Sequence, residues 1–526
     1  MRLNKRSVFY NVSILSLSGV FLQAVGFVYQ ILLSRVAGAQ ALGMFHLVMP
    51  VYSVMAAATI TGTRLAMTSL AAGLRPERGM ADIHALALRG MGAFLFLFAI
   101  TALPIYVLRD LIAGRIIGEP RAVPAMVLLL ACIFLSGFEG IFESLFLGIG
   151  KTHYTAISNI LEQVAKILLI LFLLTRFGRE GDYSRTAVLL SIGMTLCEIP
   201  VLIWLLAVYR RESRRAGKAR QKGKAPRVLP VATPVAFSAV VTNLLASASV
   251  VLLPQRLQRA GMTAEAALSA LGVVSEMALP LITLPMVLVR SLSNVLMPVI
   301  SQSSARGQRA NVERKVQKSF QATGLIVLPA TAILAPLCTP LARMLFGQEL
   351  DSVYVLMLAA AAIVTYFEMI SASILNGLGR QKATMAGMLV GESIQLFCTY
   401  FLAAIPQLHI YGYMSGMILS PFAVLLLNLW FIKDSTGFAP RWLESFVIPL
   451  LVSGTAGGFT RWFYRRFGPA LPGDGFAVLA AAAVGGGVCF LLFLLTGLRP
   501  LRYYRTLLDA GQRRETDALR MNKKLV

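Results

Sequence analysis

Charge is what this chain has least of. Asp, Glu, Lys and Arg make up 14% of its 526 residues, against about 25% in soluble domains, and that shortage excludes an ordinary soluble fold. Histidine is rarer still. The four present (His46, His84, His153, His409) are scattered, without an HExxH spacing or a histidine-acid cluster, so no metal site is expected. The five cysteines (Cys132, Cys197, Cys338, Cys398, Cys489) sit singly in apolar stretches with no CxxC spacing, which excludes a disulfide framework and leaves them as small core hydrophobes. A P-loop, a GxSxG elbow and a GxGxxG turn after a strand are all missing. With them go an ATP-driven pump, a serine hydrolase and a dinucleotide enzyme. No cofactor is expected, and no catalytic residue is assigned.

Apolar sequence is abundant instead: 57% of residues are hydrophobic and the mean hydropathy is +0.72. The apolar runs match the ~20 helical residues that cross a hydrocarbon core of ~30 Å. Only helices and closed barrels satisfy their backbone in lipid, and continuous rather than alternating runs select helices. Fourteen spans are predicted, among them 12–34 and 44–72 (first and second), 124–147 (fourth), 153–175 (fifth), 234–253 (seventh), 271–300 (eighth), 353–376 (tenth), and 441–460 and 475–497 (the last two). The first run is too long for a signal-peptide core and is followed at once by another span, so Met1 is expected to belong to the mature chain.

The net charge of +25 is concentrated in segments on the N-terminal side of the membrane. Nine Lys/Arg lie in 210–233 and eight in 498–526. This is the positive-inside distribution, which predicts cytoplasmic termini and attraction to anionic lipids of the bilayer. Nucleic acid is not expected as a partner, because no stacking aromatics interleave with the run RRESRRAGKARQKGK, which reads as a linker.

One segment recurs. FEGIFESLFLGIGKTHYT (138–155) and FEMISASILNGLGRQKAT (367–384) align at a shift of 229 residues, matching Phe138, Glu139, Gly148 and Gly150 to Phe367, Glu368, Gly377 and Gly379, with Lys151 on Arg380. Six spans separate the copies, an even number, so both cross in the same direction, as in transporters built from parallel repeats. The expected organisation is a six-helix lobe over 1–209, a basic cytoplasmic linker over 210–233, a second six-helix lobe over 234–433, an extra helix pair over 434–497 and a basic tail over 498–526. Glu139 and Glu368, present in both lobes, are read as architectural. They are placed to accept bonds from the Gly-x-Gly-basic turn or from a neighbouring helix. Glu143 has no counterpart and lies one turn from Glu139 on the same face, which makes it the better functional candidate.

Ionisable groups inside a span cost about 2.5–3.5 kcal/mol each on insertion scales and face a watery cavity or a partner. Lys166 has Glu162 in the favourable i,i+4 order, so a structural pair and a ligand site are equally open. Arg64 and Arg290, in the second and eighth spans, have no acidic residue at i±3 or i±4. They are candidates to hold phosphate oxygens bidentately; snorkelling to the interface is the alternative. Glu276 is a candidate for ion coupling with Glu162, and Pro254, Gly272, Pro280 and Pro285 are candidate bends for a lateral gate.

With ILLSRVAGAQALGMFHLVMPVYSVMAAATITGTRLAMTSLAA (31–72), the Gly-x-Gly-basic turns and the fourteen spans, the chain resembles the polysaccharide-transport branch of the multidrug/oligosaccharidyl-lipid/polysaccharide exporter superfamily, and within it the stage V sporulation protein B group. The resemblance implies an all-α polytopic bacterial cell-membrane protein with two parallel six-helix lobes. It implies flipping of an undecaprenyl-diphosphate-linked saccharide, a peptidoglycan or polysaccharide precursor, in the service of the cell wall or sporulation; a monomer is expected. The family's peptidoglycan flippases carry cavity arginines in helices one, two and eight. Here helix one offers only Gln23 and Gln30, with Arg35 at its end. A cation-coupled drug exporter and a membrane-embedded transferase are the competing readings.

Overall fold

A computed structural model of the chain describes residues 8–73, 80–178, 182–215, 227–305, 307–347, 349–438 and 441–496. Residues 1–7, most of the basic linker (216–226) and the tail from 497 lie outside them. Among the described residues every regular element is helical: α1 (Val8–Ala56), α2 (Gly62–Ala72), α3 (Met80–Val107), α4 (Arg109–Leu111), α5 (Val123–Gly148), α6 (Thr152–Phe177), α7 (Tyr183–Arg215), α8 (Leu229–Arg259), α9 (Ala264–Gly272), α10 (Leu279–Ile282), α11 (Met286–Ala305), α12 (Arg309–Phe346), α13 (Ser352–Gly377), α14 (Gln381–Phe397), α15 (Ile410–Thr436), α16 (Ile448–Phe467) and α17 (Asp474–Leu495).

Thirteen of the described helical stretches are long and apolar enough to span a membrane, and the first of them, Phe21–Ala72, is 52 residues long. At 1.5 Å per residue it measures roughly 78 Å, more than twice the ~30 Å core, so it holds two spans. The bend between them is Gly38, at φ 75°. The protein is therefore an all-α polytopic membrane protein of about fourteen spans.

The eighth span departs from the continuous run expected over 271–300. It begins at Ala264, passes through a π-helical segment at Val273–Ala278, breaks over 283–285 and resumes as α11. Of the four expected bends, Pro285 sits in this break and Pro280 one turn before it. Pro254 lies inside unbroken α8, and Gly272 serves packing instead: a Cβ there would sit 2.0 Å from the Ala39 carbonyl oxygen. Gly43 faces the Leu268 carbonyl in the same way, at 2.1 Å, so the beginnings of the second and eighth spans cross backbone to backbone, a use of small residues common in lipid.

Two compact units divide the chain, Met1–Glu276 with Ala403–Gln407, and Met277–Leu402 with Leu408–Val526. The boundary falls within the eighth span rather than in the linker, because α8 and α9 pack on α1 and α2. In the first unit Phe94, Phe98, Phe134 and Phe138 form a closed aromatic cluster with centroids 5.1–5.8 Å apart, edge-on at three contacts and tilted between Phe94 and Phe98. Gly137 leaves room for the Phe94 ring. In the second unit Phe320 stacks on Phe367 and Phe438, and the extra pair α16–α17 docks on α12, where Gly457 allows contact with the Ala332 carbonyl.

Each unit contains one copy of the repeated segment, with matching detail. α5 and α13 are both 26 residues long. Both end in a left-handed glycine, Gly150 at φ 76° and Gly379 at φ 78°, and in both the following basic residue donates its backbone N–H five residues back along the motif: Lys151 to the Phe146 carbonyl at 2.8 Å, Arg380 to the Leu375 carbonyl at 2.9 Å. This is the helix-ending pattern that satisfies orphan carbonyls. The basic side chains then reach an acid at the end of a later helix, Lys151 to Glu212 on α7 and Arg380 to Asp434 on α15, the latter at 3.4 Å.

Candidate functional site

Within the first unit, α1, α2, α5, α6 and α7 enclose a cavity of about 610 Å³ whose lining includes Tyr52, Arg64, Glu139, Glu143, Glu162 and Glu198. Four carboxyls from three helices thus share one space in a region of predominantly apolar sequence. Arg64 reaches it from α2, and the Arg64 Nη2 donates to Glu143 Oε2. The two ends of this pair differ: the Glu143 side chain is 2% exposed and that of Arg64 48%. Gly140, one turn before Ser144 on α5, makes the approach possible. A Cβ there would lie 3.0 Å from Arg64 Cδ and 3.1 Å from Cγ.

Glu162 and Lys166 form their i,i+4 bond along α6 at 2.7 Å. Glu139 shares a side-chain hydrogen bond with Glu198 on the neighbouring α7. It makes no bond to the Gly-x-Gly-basic turn, and its Oε2 is buried with no hydrogen-bond partner, as is Glu143 Oε1. Unpartnered buried carboxyl oxygens that border a polar cavity are positions where a mobile ligand, ion or water has acceptors waiting. Glu198 completes the group from α7. It was missed in the sequence, although an ionisable residue inside an apolar span is the signal that singled out Arg64 and Arg290.

Arg64 is thus not without an acidic partner. Local spacing reaches only i±4, whereas Glu143 is 79 residues away. Arg290, exposed on α11 in the second unit, has no ion pair among the described residues. Glu368 lies on α13 of that unit, in the position its counterpart Glu139 occupies on α5.

A second polar cluster surrounds Glu276. Gln30 Nε2 donates to its Oε2 at 2.7 Å, and His46 Nδ1 lies 2.9 Å from its Oε1, so both carboxyl oxygens are engaged by residues flanking the Gly38 bend of α1. The sequence offered no histidine-acid cluster because these residues are 230 positions apart. Among the described residues no group of three or more His, Cys, Asp or Glu is arranged to hold a metal ion. The five cysteines are free and buried.

The chain is similar to the stage V sporulation protein B of Bacillus subtilis (strain 168), 22% identical over 436 residues that cover 81% of this chain and 83% of that protein. Its fold is similar to that of the lipid II flippase MurJ in an inward closed conformation, with a TM-score of 0.63 at 14% identity over 94% of this chain and 99% of that one. An inward-facing multidrug resistance transporter of the MATE family matches at a TM-score of 0.62 and 17% identity over 79% of this chain and 95% of that one. The family model described as polysaccharide biosynthesis protein matches residues 8–304, more than half of the chain, and the protein belongs to that family.

Proposed function

We propose that this protein moves a lipid-linked saccharide of the undecaprenyl-diphosphate type across the bacterial cell membrane, by alternating access of its two repeat-related lobes and without catalysing a reaction. The supporting observation is Arg64. Its guanidinium is tethered on one side to buried Glu143 while nearly half of the side chain stays exposed. A tethered guanidinium with a free edge is preorganised for a phosphate oxygen, since little rotamer freedom is left to lose on binding. Arg290, in the eighth span of the second unit, is a further candidate phosphate ligand in this reading, argued from its own exposure. Family membership and similarity to a protein named as a lipid II flippase favour a lipid-linked substrate over a free one. The carrier's isoprenoid tail stays in the bilayer, because only the polar head gains from a polar cavity, and the broken eighth span is the candidate lateral gate.

The four carboxyls point to a second role for the same cavity. Together they outnumber Arg64 and Lys166, so the space accommodates a cation beside the tethered arginine, with Glu139, Glu162 and Glu198 as its acceptors. Ion coupling in this reading lies in the cavity and not at Glu276, whose oxygens already have partners. The same acid excess favours the runner-up, a cation-coupled exporter of amphipathic drugs.

Depletion of the protein separates the two. Accumulation of a lipid-linked saccharide on the cytoplasmic face is the expected result, and its chemical identification names the glycan. Loss of cationic-dye export with unchanged lipid-linked intermediates would replace the proposal with the drug exporter.

A further inference from the structure

α7 carries a stripe that the transport reading leaves unused. Val201, Leu205 and Val208 face the core and are buried. On the opposite side Leu196, Ile199 and Ile203 are exposed at 38%, 40% and 62%, spaced three and four residues apart so that they stand one above another. Ala207 continues the line, and then its chemistry changes: Arg210 and Arg214 follow at the same spacing, with Arg211 beside them, all exposed. Ala207 and the three arginines line an open space of about 480 Å³.

None of these arginines has an ion pair among the described residues. The acid nearest in sequence, Glu212, points to the other side of the helix, where it accepts from Lys151 and from the Tyr154 hydroxyl. Three uncompensated guanidiniums therefore surround a space left by one small residue, directly above a column of lipid-facing aliphatic side chains. That sequence of surfaces, aliphatic and then cationic within a few turns of one helix, complements a molecule with acyl chains below and a phosphate above.

We infer that the C-terminal end of α7 binds an anionic phospholipid, its headgroup phosphate held by Arg210, Arg211 and Arg214 in the space beside Ala207 and an acyl chain lying along Ile203, Ile199 and Leu196. Guanidinium forks match phosphate oxygens in charge and in planar geometry. Simple attraction of basic residues to a negative leaflet differs in being indifferent to Ala207 and to which arginines are removed.

The test uses the full-length protein in detergent, with bound lipid counted by native mass spectrometry during titration with phosphatidylglycerol or phosphatidylcholine. Phosphatidylglycerol is expected to stay bound where phosphatidylcholine does not. R210Q/R211Q/R214Q should lower its affinity by about fivefold per arginine removed. Ala207→Phe, which keeps every charge and fills the space, should also lower it, and a control triple variant on α12, R309Q/R314Q/K318Q, should leave it unchanged. Wild-type binding by the α7 triple variant, equal loss in the α12 control, or equal retention of phosphatidylcholine would each overturn the inference. Stabilisation by inorganic phosphate through the same arginines, without phosphatidylglycerol binding, would also overturn it and leave a soluble-anion site.

Discussion

At the scale of single residues, the Arg64–Glu143 pair is asymmetric, and the asymmetry fixes what its variants do. Removing Arg64 strands a carboxylate that is 2% exposed, and an uncompensated buried charge costs roughly 3–5 kcal/mol. Removing the charge of Glu143 leaves an arginine that water already reaches. Arg64→Ala is therefore expected to lower the thermal midpoint in detergent markedly, Glu143→Gln only slightly, and R64A/E143Q to be more stable than R64A alone. Strictly additive effects would show that the two side chains do not interact. Each member of this pair was visible in the sequence as an intramembrane charge, but their partnership was not. It depends on α2 packing against α5 with Gly140 between them, and nothing within four residues of either one encodes that crossing. The pairing of His46 with Glu276 escaped notice for the same reason, whereas Glu162 and Lys166, neighbours on one helix, were legible as a pair.

At the scale of elements, the Gly-x-Gly-basic turn gives its two glycines different tasks. Gly150 and Gly379 have positive φ and nothing within 4 Å of an added Cβ, so they are there for backbone conformation alone, and alanine should cost about 1–2 kcal/mol. Gly148 is there for contact: a Cβ would lie 2.6 Å from both the Ala71 Cβ and the Thr68 carbonyl oxygen. Gly148→Val should destabilise the fold well beyond Gly150→Ala, and Gly150→Asn should be nearly neutral because Asn tolerates the left-handed region. Comparing expression and thermal midpoints of these three variants checks the assignment; equal effects would contradict it. Turns of this kind are legible because their signal is local, and helix count was legible because hydrocarbon thickness sets a length. The π-helical segments and the break over 283–285 were not. Prolines at 254, 280 and 285 look alike in sequence, and only the packing around the eighth span decides which of them interrupts a helix.

At the scale of the whole molecule, the proposed transport cycle gives Arg64 and Arg290, on corresponding spans of the two repeats, each a contact with substrate phosphate at some stage of the cycle. Arg64 spends one guanidinium nitrogen on Glu143, so lysine there would lose both the tether and the second bond to an oxygen. Arg290 has no such tether among the described residues, which makes it the cleaner probe of substrate contact. If it grips phosphate oxygens bidentately, Arg290→Lys should reduce transport severalfold in proteoliposomes while leaving insertion and thermal midpoint unchanged, since an ammonium keeps the charge but not the planar fork. If Arg290 only extends to the membrane interface, lysine reaches the same depth with its own stem, and transport should be unaltered. The triple variant R64A/E143Q/R290A, with the buried carboxylate neutralised to preserve folding, carries the argument to its end. Full flipping of lipid-linked saccharide by that protein would mean that neither arginine handles the substrate, and the phosphate contacts would then have to be sought elsewhere in the chain.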